Sequence, residues 1–420
     1  METEISIITA EQTAAKSNRL VLLFIVCFAG NLFAGAISTV MAVYLHAVVK
    51  EFQGTQNTAQ LNNISAYINA LFIFGWAVGG FLWGLIGDKT GRKAALLLSI
   101  GSYGVFTLLT AFTQSWDEVM ICRFLSGVGA GGMLVISFTL ISEVWPARSK
   151  AVFTGILSIA IPIGIFSAGM LTFLVASWRE GFLVGALPLL FAIAGYWMIG
   201  ESSLWLKDQS IVQIDHKPAV HLFGSSNLKI LATGSLIFGS MLVGLWAIFS
   251  WLPAWIQSLL TANAQKEGSL SLMFMGMGGL IGGFLSGWLL KLVSLRTSLI
   301  ASFVICFLMS FLLFKTNSSF SSIIFAEIAV LALFFGASQG ILSLYIPALF
   351  PAAIRASATG FCFNVGRIFT ALAVLFAGVL VDVLGGYGNS LFIFSLVFLP
   401  GLFAVVFIKD IQPVQPIEEN

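Results

Sequence analysis

The stretch Gly84-Leu85-Ile86-Gly87-Asp88-Lys89-Thr90-Gly91-Arg92-Lys93 decides how the chain is read. One apolar run, Ile64 to Ile86, enters it, and another, Ala94 to Ala111, leaves it. Each run is long enough to cross a membrane, which takes about 20 apolar residues in a helix. The stretch is therefore a short charged connection between two spanning helices. Its glycines permit a tight turn and a close approach of the helices. Asp88 falls at a helix end, where a bare carboxylate is unfavourable unless a helix N-terminus or an arginine faces it.

Composition extends this reading outward. The chain has 420 residues, 58% of them hydrophobic and 9% charged, with a mean hydropathy of +1.00. Soluble globular domains carry about 25% charged residues, so lipid is the solvent for most of this surface. A net charge of +2 gives no reason to expect a nucleic-acid partner. The first apolar run starts near Leu20 and is too long for a cleavable signal. Cys27, Cys122, Cys306 and Cys362 all lie within apolar runs and read as packing residues, not as a disulfide framework or a metal site. No phosphate-binding Gly-rich loop with Lys-Ser/Thr is present, and no acid–base or metal-spaced cluster sits inside the apolar runs. ATP hydrolysis and membrane-enzyme chemistry are thus not indicated, and no cofactor is expected.

Twelve spanning helices are expected, at about Leu20–Val48, Ile64–Ile86, Ala94–Ala111, Val119–Ile141, Ala151–Ala176, Phe182–Ile199, Ile230–Ile256, Leu270–Leu290, Ser298–Phe314, Ser322–Leu349, Ala356–Val381 and Leu391–Ile408. The organisation that follows is a disordered amino-terminal segment (1–18), a six-helix bundle (19–200), a linker (201–229), a second six-helix bundle (230–409) and a tail (410–420). Charge sets the orientation. With both termini in the cytoplasm, Lys16, Arg19, Lys89, Arg92, Lys93, Arg148, Lys150, Lys207, Lys217, Lys229, Lys291, Arg296, Arg355 and Lys409 lie inside. Lys50, Arg179, Lys266 and Lys315 lie outside, as the positive-inside rule requires. His216 and His221, in the polar linker, read as part of a solvated loop before they read as a metal site.

The two halves repeat. Gly79-Gly80-Phe81-Leu82-Trp83-Gly84 returns as Gly282-Gly283-Phe284-Leu285-Ser286-Gly287, and Gly131 aligns with Gly336. Pro146 and Gly155 align with Pro351 and Gly360, Arg148 is matched by Arg355 two positions displaced, and Lys291 stands where the first half has Asp88. A duplicated six-helix unit implies two bundles with a site between them near the bilayer midplane.

With those residues in view, the opening stretch resembles the loop between helices two and three of the major facilitator superfamily, Gly-x-x-x-Asp-(Arg/Lys)-x-Gly-Arg-(Arg/Lys). Gly84, Asp88, Lys89, Gly91, Arg92 and Lys93 fill every fixed position. Arg123 with Gly127 and Gly131, and Glu143-Val144-Trp145-Pro146-Ala147-Arg148, resemble two further motifs of that superfamily. Trp178-Arg179-Glu180-Gly181 and Gly200-Glu201-Ser202-Ser203-Leu204-Trp205-Leu206, the latter without the usual prolines, resemble its sugar porters and metabolite–proton symporters. So does the stretch from Pro351 to Arg367, which is also similar to carriers of sialic and aromatic acids. The resemblance implies an all-α membrane protein of the major facilitator fold, with twelve helices in two pseudo-symmetric bundles. It implies a secondary transporter working by alternating access, itself a multi-pass protein of the bacterial inner membrane and read as a monomer in lipid.

The residues then take expected roles. Gly84, Asp88, Gly91, Arg92, Lys93, Glu143 and Arg148 form a conformational latch, in which Asp88 pairs with Arg148 or the start of helix five. Arg123 is a coupling or gating group, or snorkels to the outer headgroups. Arg367 lies about a dozen residues into helix eleven, near mid-membrane, too deep to snorkel easily. It either holds an anionic substrate through its bidentate fork or pairs with Glu327, which is also a candidate for proton coupling. Helix one carries Asn31 and no acid, which weakens proton coupling. Asn31, Tyr67, Asn69, Trp246, Trp251, Gln339 and Asn364 are the other candidates for the substrate cavity, each of which could equally be a packing residue. The expected partners are a small-molecule substrate, protons and the bilayer. The substrate class is a sugar acid or an aromatic or other carboxylic acid, taken up with protons; a neutral sugar or a non-transporting sensor on the same scaffold are the alternatives.

Overall fold

The computed structural model describes residues 2–53, 58–202, 206, 224–260, 264–350 and 355–407. Among these the chain is helical, with twelve segments long and apolar enough to span a membrane. They are α1 (Glu2–Gln53), α2 (Thr58–Thr90), α3 (Arg92–Thr110), α4 (Trp116–Val144), α5 (Ala147–Ser158 and Ala160–Leu174) and α6 (Trp178–Phe182, a 3₁₀ turn Leu183–Gly185, and Ala186–Met198). The second half supplies α7 (Ser225–Ser258), α8 (Gln265–Leu292), α9 (Leu295–Thr316), α10 (Ile323–Ala348), α11 (Arg355–Val383) and α12 (Tyr387–Ser395 and Phe398–Phe407).

Proline explains the broken helices. A proline has no N–H to offer the carbonyl four residues back, and its ring crowds that carbonyl. Pro162, Pro188 and Pro400 each follow the breaks in α5, α6 and α12 by about one turn. Pro253 sits inside α7 without interrupting it. The first helix extends back to Glu2, where a segment without structure was expected. Glu2–Asn18 has neither Gly nor Pro, and elongating an existing helix avoids the costly nucleation step.

Glycine crossings set the packing and make the repeat visible. A Cβ on Gly79 of α2 would strike the Val128 carbonyl of α4, and one on Gly131 of α4 would strike the Trp76 carbonyl of α2. In the second half a Cβ on Gly282 of α8 would strike the Leu333 carbonyl of α10, and one on Gly336 would strike Gly279. The residues aligned in the sequence thus make the same contact twice. Gly35 and Gly164 bring α1 against α5, and Gly239 and Gly366 bring α7 against α11 in the same way. Small residues at such crossings let backbones approach closely where lipid offers no hydrophobic drive. The two six-helix bundles then meet along α2 with α11 and along α5 with α8.

The charged connection between α2 and α3 is tighter than a loop. α2 runs through Thr90, α3 starts at Arg92, and only Gly91 lies between, at φ +102°, a backbone angle that favours glycine. The side chains of Asp88, Lys291 and Arg355, and residues 207–223 with His216 and His221, lie outside the described residues. Below, the near end is the end of the bundles that carries Gly91, and the far end is the opposite one.

Candidate functional site

Arg367 is the organising group at the centre. It projects from α11 toward α2 of the other bundle, with its guanidinium carbon 5.5 Å from the Trp76 ring centroid. Its Nη1 donates to Asn364 Oδ1 at 3.0 Å, one turn earlier on the same helix. Asn364 is buried and lies against Gly80, where a Cβ would be 3.2 Å from the amide carbon. Trp76 is 4% exposed and stands edge-on to Trp246 of α7 at 5.3 Å. The Trp76 indole N–H has no acceptor among the described residues. The centre thus combines a guanidinium, an uncommitted N–H and two indole faces, contributed by both bundles. Gln339 on α10 likewise has a buried Nε2 without an acceptor among the described residues.

The alternative pairing of Arg367 with Glu327 is not formed. Glu327 lies in the second turn of α10 and accepts from Asn317 Nδ2 at 2.7 Å, at the far end. Among the described residues no carboxylate is within ion-pair distance of Arg367. Arg123 does not snorkel either. It is 1% exposed within the first bundle, donates to the Ile37 carbonyl at 3.0 Å and lies 3.9 Å above the Phe72 ring. Phe72 is one helical turn from Trp76, so α2 presents an aromatic face to each arginine in turn.

At the near end Gly91, Arg92, Lys93 and Glu143, four of the residues expected in a latch, are brought together by Glu201 and Ser202, which were not among them. Glu201, just after α6, accepts from the main-chain N–H of Arg92 at 2.8 Å and of Lys93 at 3.1 Å. It caps the first turn of α3, where both the free N–H groups and the helix dipole favour a carboxylate. Its Oε2 fills the space that a Cβ on Gly91 would need. Arg92 Nε meets Glu143 Oε1 at 3.2 Å, both side chains being mostly buried, and Ser202 Oγ donates to Glu143 Oε2 at 2.7 Å. Lys93 lies 4.6 Å from the Tyr196 ring. Gly84 packs loosely, with Val135 at 3.9 Å from its would-be Cβ. Arg148 is exposed in the first turn of α5. The expected pairing of Asp88 falls outside the described side chains.

Hydrogen bonds between the bundles cluster in the far half. Asn62 on α2 donates to Asp382 Oδ1 at 3.2 Å and accepts from the Tyr387 hydroxyl at 2.6 Å. Gln257 on α7 donates to the Val43 carbonyl at 3.2 Å, and Gln265 on α8 donates to the Thr172 and Val175 carbonyls at 2.8 and 2.9 Å. Asn69 reaches the Ser250 carbonyl at 3.4 Å. Three cavity candidates belong elsewhere. Asn31 is fully buried and ties α1 to α4 through Ser137 Oγ at 2.9 Å. Trp251 is 1% exposed and packs on Tyr387 in the far half. Tyr67 is exposed in a heptad-spaced stripe with Phe74 and Phe81, which points away from the centre. In each case helix rotation, not residue type, decides the facing.

Two repeated bundles of membrane-spanning helices meet at a cationic aromatic contact, with polar ties between them in the far half. The chain belongs to the Major Facilitator Superfamily, whose family model matches residues 20–368. It is 24% identical over 400 residues to the cis,cis-muconate transport protein of Acinetobacter baylyi, covering 93% of this chain and 94% of that one. It is 25% identical over 368 residues to the 3-(3-hydroxy-phenyl)propionate transporter of Escherichia coli, covering 87% and 88%. In structure it is similar to a D-xylose-proton symporter, with a TM-score of 0.76 at 17% identity over 94% of this chain and 98% of the other. The last likeness shows the fold alone. The protein is a twelve-span membrane transporter and not an enzyme.

Proposed function

We propose that the protein takes up a small organic anion, a sugar acid or an aromatic or other carboxylic acid, across the bacterial inner membrane by alternating access coupled to protons. The observation that carries this reading is Arg367, a guanidinium between the bundles with no carboxylate in ion-pair distance among the described residues. A charge at that depth is costly and marks a substrate path. Its fork suits a carboxylate, the Trp76 N–H is a second donor, and the indoles of Trp76 and Trp246 suit a planar apolar body. The names of the muconate and hydroxyphenylpropionate relatives support an acid as cargo. The neutral-sugar alternative needed Arg367 to be tied to Glu327, which is held by Asn317 instead.

Positive charge at the near end supports a cytoplasmic near end with both termini inside. The ties at the far end then close the carrier toward the outside. For proton coupling, Glu327 and Asp382 are the carboxylates on α10 and α11 that could take the proton. The test is uptake of radiolabelled benzoate, cis,cis-muconate and xylose into proteoliposomes, with and without an inward proton gradient. Uptake of an acid that rises with the gradient and is lost in Arg367→Lys, which keeps charge but not the fork, is expected. Uptake that Arg367→Lys leaves unaltered, or xylose as the only substrate, overturns the reading.

A further inference from the structure

A carrier performs net transport only if it reorients unloaded as well as loaded. An arginine that holds the substrate's anion becomes a bare charge at mid-membrane each time the substrate leaves. A carrier with no internal answer to that charge can only exchange one anion for another.

Here the answer lies on the opposite bundle. The Trp76 ring of α2 faces the guanidinium carbon of Arg367 at 5.5 Å, and the amide oxygen of Asn364 accepts from Nη1 at 3.0 Å. Trp76 is held rigidly. Its main-chain carbonyl lies against Gly131, and its ring is edge-on to Phe72 at 5.8 Å and to Trp246 at 5.3 Å. The same device serves Arg123, with Phe72 at 3.9 Å and the Ile37 carbonyl in place of the amide. Among the described residues neither arginine has an ion-pair partner. An aromatic face holds a desolvated cation firmly enough to matter, yet more weakly than a carboxylate would, so a substrate carboxylate can displace it.

We propose that Trp76 stands in for the substrate: its ring carries the Arg367 charge through the unloaded return, and so permits net transport in place of obligatory exchange. The proposal rests on the reading that Arg367 holds the substrate's carboxylate. Trp76 is a positioning residue for the unloaded step, separate from any donor role of its N–H.

The test compares two rates of radiolabelled benzoate entry into proteoliposomes at saturating concentration: net uptake into liposomes without internal benzoate, and exchange into benzoate-loaded ones. If benzoate is not carried, cis,cis-muconate is the probe. Trp76→Leu removes the ring, and Trp76→Met replaces it if the leucine variant is not recovered. The ratio of net uptake to exchange should fall about tenfold or more relative to the wild type, because the loss of a binding group lowers both rates and only a slower unloaded return lowers net uptake alone. Trp76→Phe keeps a face and loses the N–H, and should restore the ratio of net uptake to exchange. A ratio of net uptake to exchange in Trp76→Leu that equals the wild type's, whether both rates fall in proportion or neither falls, overturns the proposal. Entry of neither acid, or full activity of Arg367→Lys, instead overturns the reading beneath it.

Discussion

Asn62 joins the two bundles at the far end, and removing its side chain should open that end. It is 4% exposed on α2, donates to Asp382 on α11 at 3.2 Å and accepts from Tyr387 on α12 at 2.6 Å. A buried neutral hydrogen bond contributes about 0.5–1.5 kcal/mol net. Asp382 is exposed, so its charge is screened and that bond stays in the neutral range. The two bonds together favour the closed far end by roughly 1–3 kcal/mol, and Asn62→Ala should shift the closing equilibrium by about 5- to 150-fold. Spin labels at Lys50 and Thr316, exposed positions near the far ends of α1 and α9, report the separation of the bundles there. In lipid nanodiscs, pulsed electron–electron distance measurements on Asn62→Ala should show a longer-distance population that is minor in the parent protein. Tyr387→Phe removes one of the two bonds and should give an intermediate shift. Distance distributions that coincide in all three proteins refute the idea that these bonds hold the far end shut.

Two further predictions concern the near end and the crossings. Glu201→Ala strips the cap from α3, and hydrogen–deuterium exchange at the Arg92 and Lys93 amides should accelerate by roughly 5- to 30-fold, the equivalent of losing about 1–2 kcal/mol of local protection. Gly282→Ala forces a Cβ onto the Leu333 carbonyl, whereas Gly283→Ala meets only the Ile159 side chain at 3.6 Å. The first should lower the thermal midpoint by several degrees in size-exclusion thermostability assays and the second should be neutral, with Gly79→Ala behaving like Gly282→Ala.

Which features were legible follows from what each depends on. Twelve spans and the repeat are dictated by single segments: lipid demands helices, and the aligned Gly79 and Gly282 mark the same place in both halves, where each proves to be a close helix crossing. The charged connection was legible too, because its polar residues interrupt an apolar run. The partners were not, since they depend on how helices far apart in sequence are rotated. Glu201 lies beyond three further helices from the α3 terminus that it caps. Trp246 and Trp251 were grouped by residue type, yet five residues along a helix is a rotation of about 140°. The two therefore face different places, one the centre and one Tyr387. Arg367 was recognisable because its charge cannot be left in lipid. Trp76 was passed over because an indole in a glycine-rich apolar helix has the same sequence signature whether it packs, faces lipid or receives a cation. Only the pairing of α2 with α11 distinguishes these, so the chemistry of this site belongs to the interface between the bundles and not to either half alone.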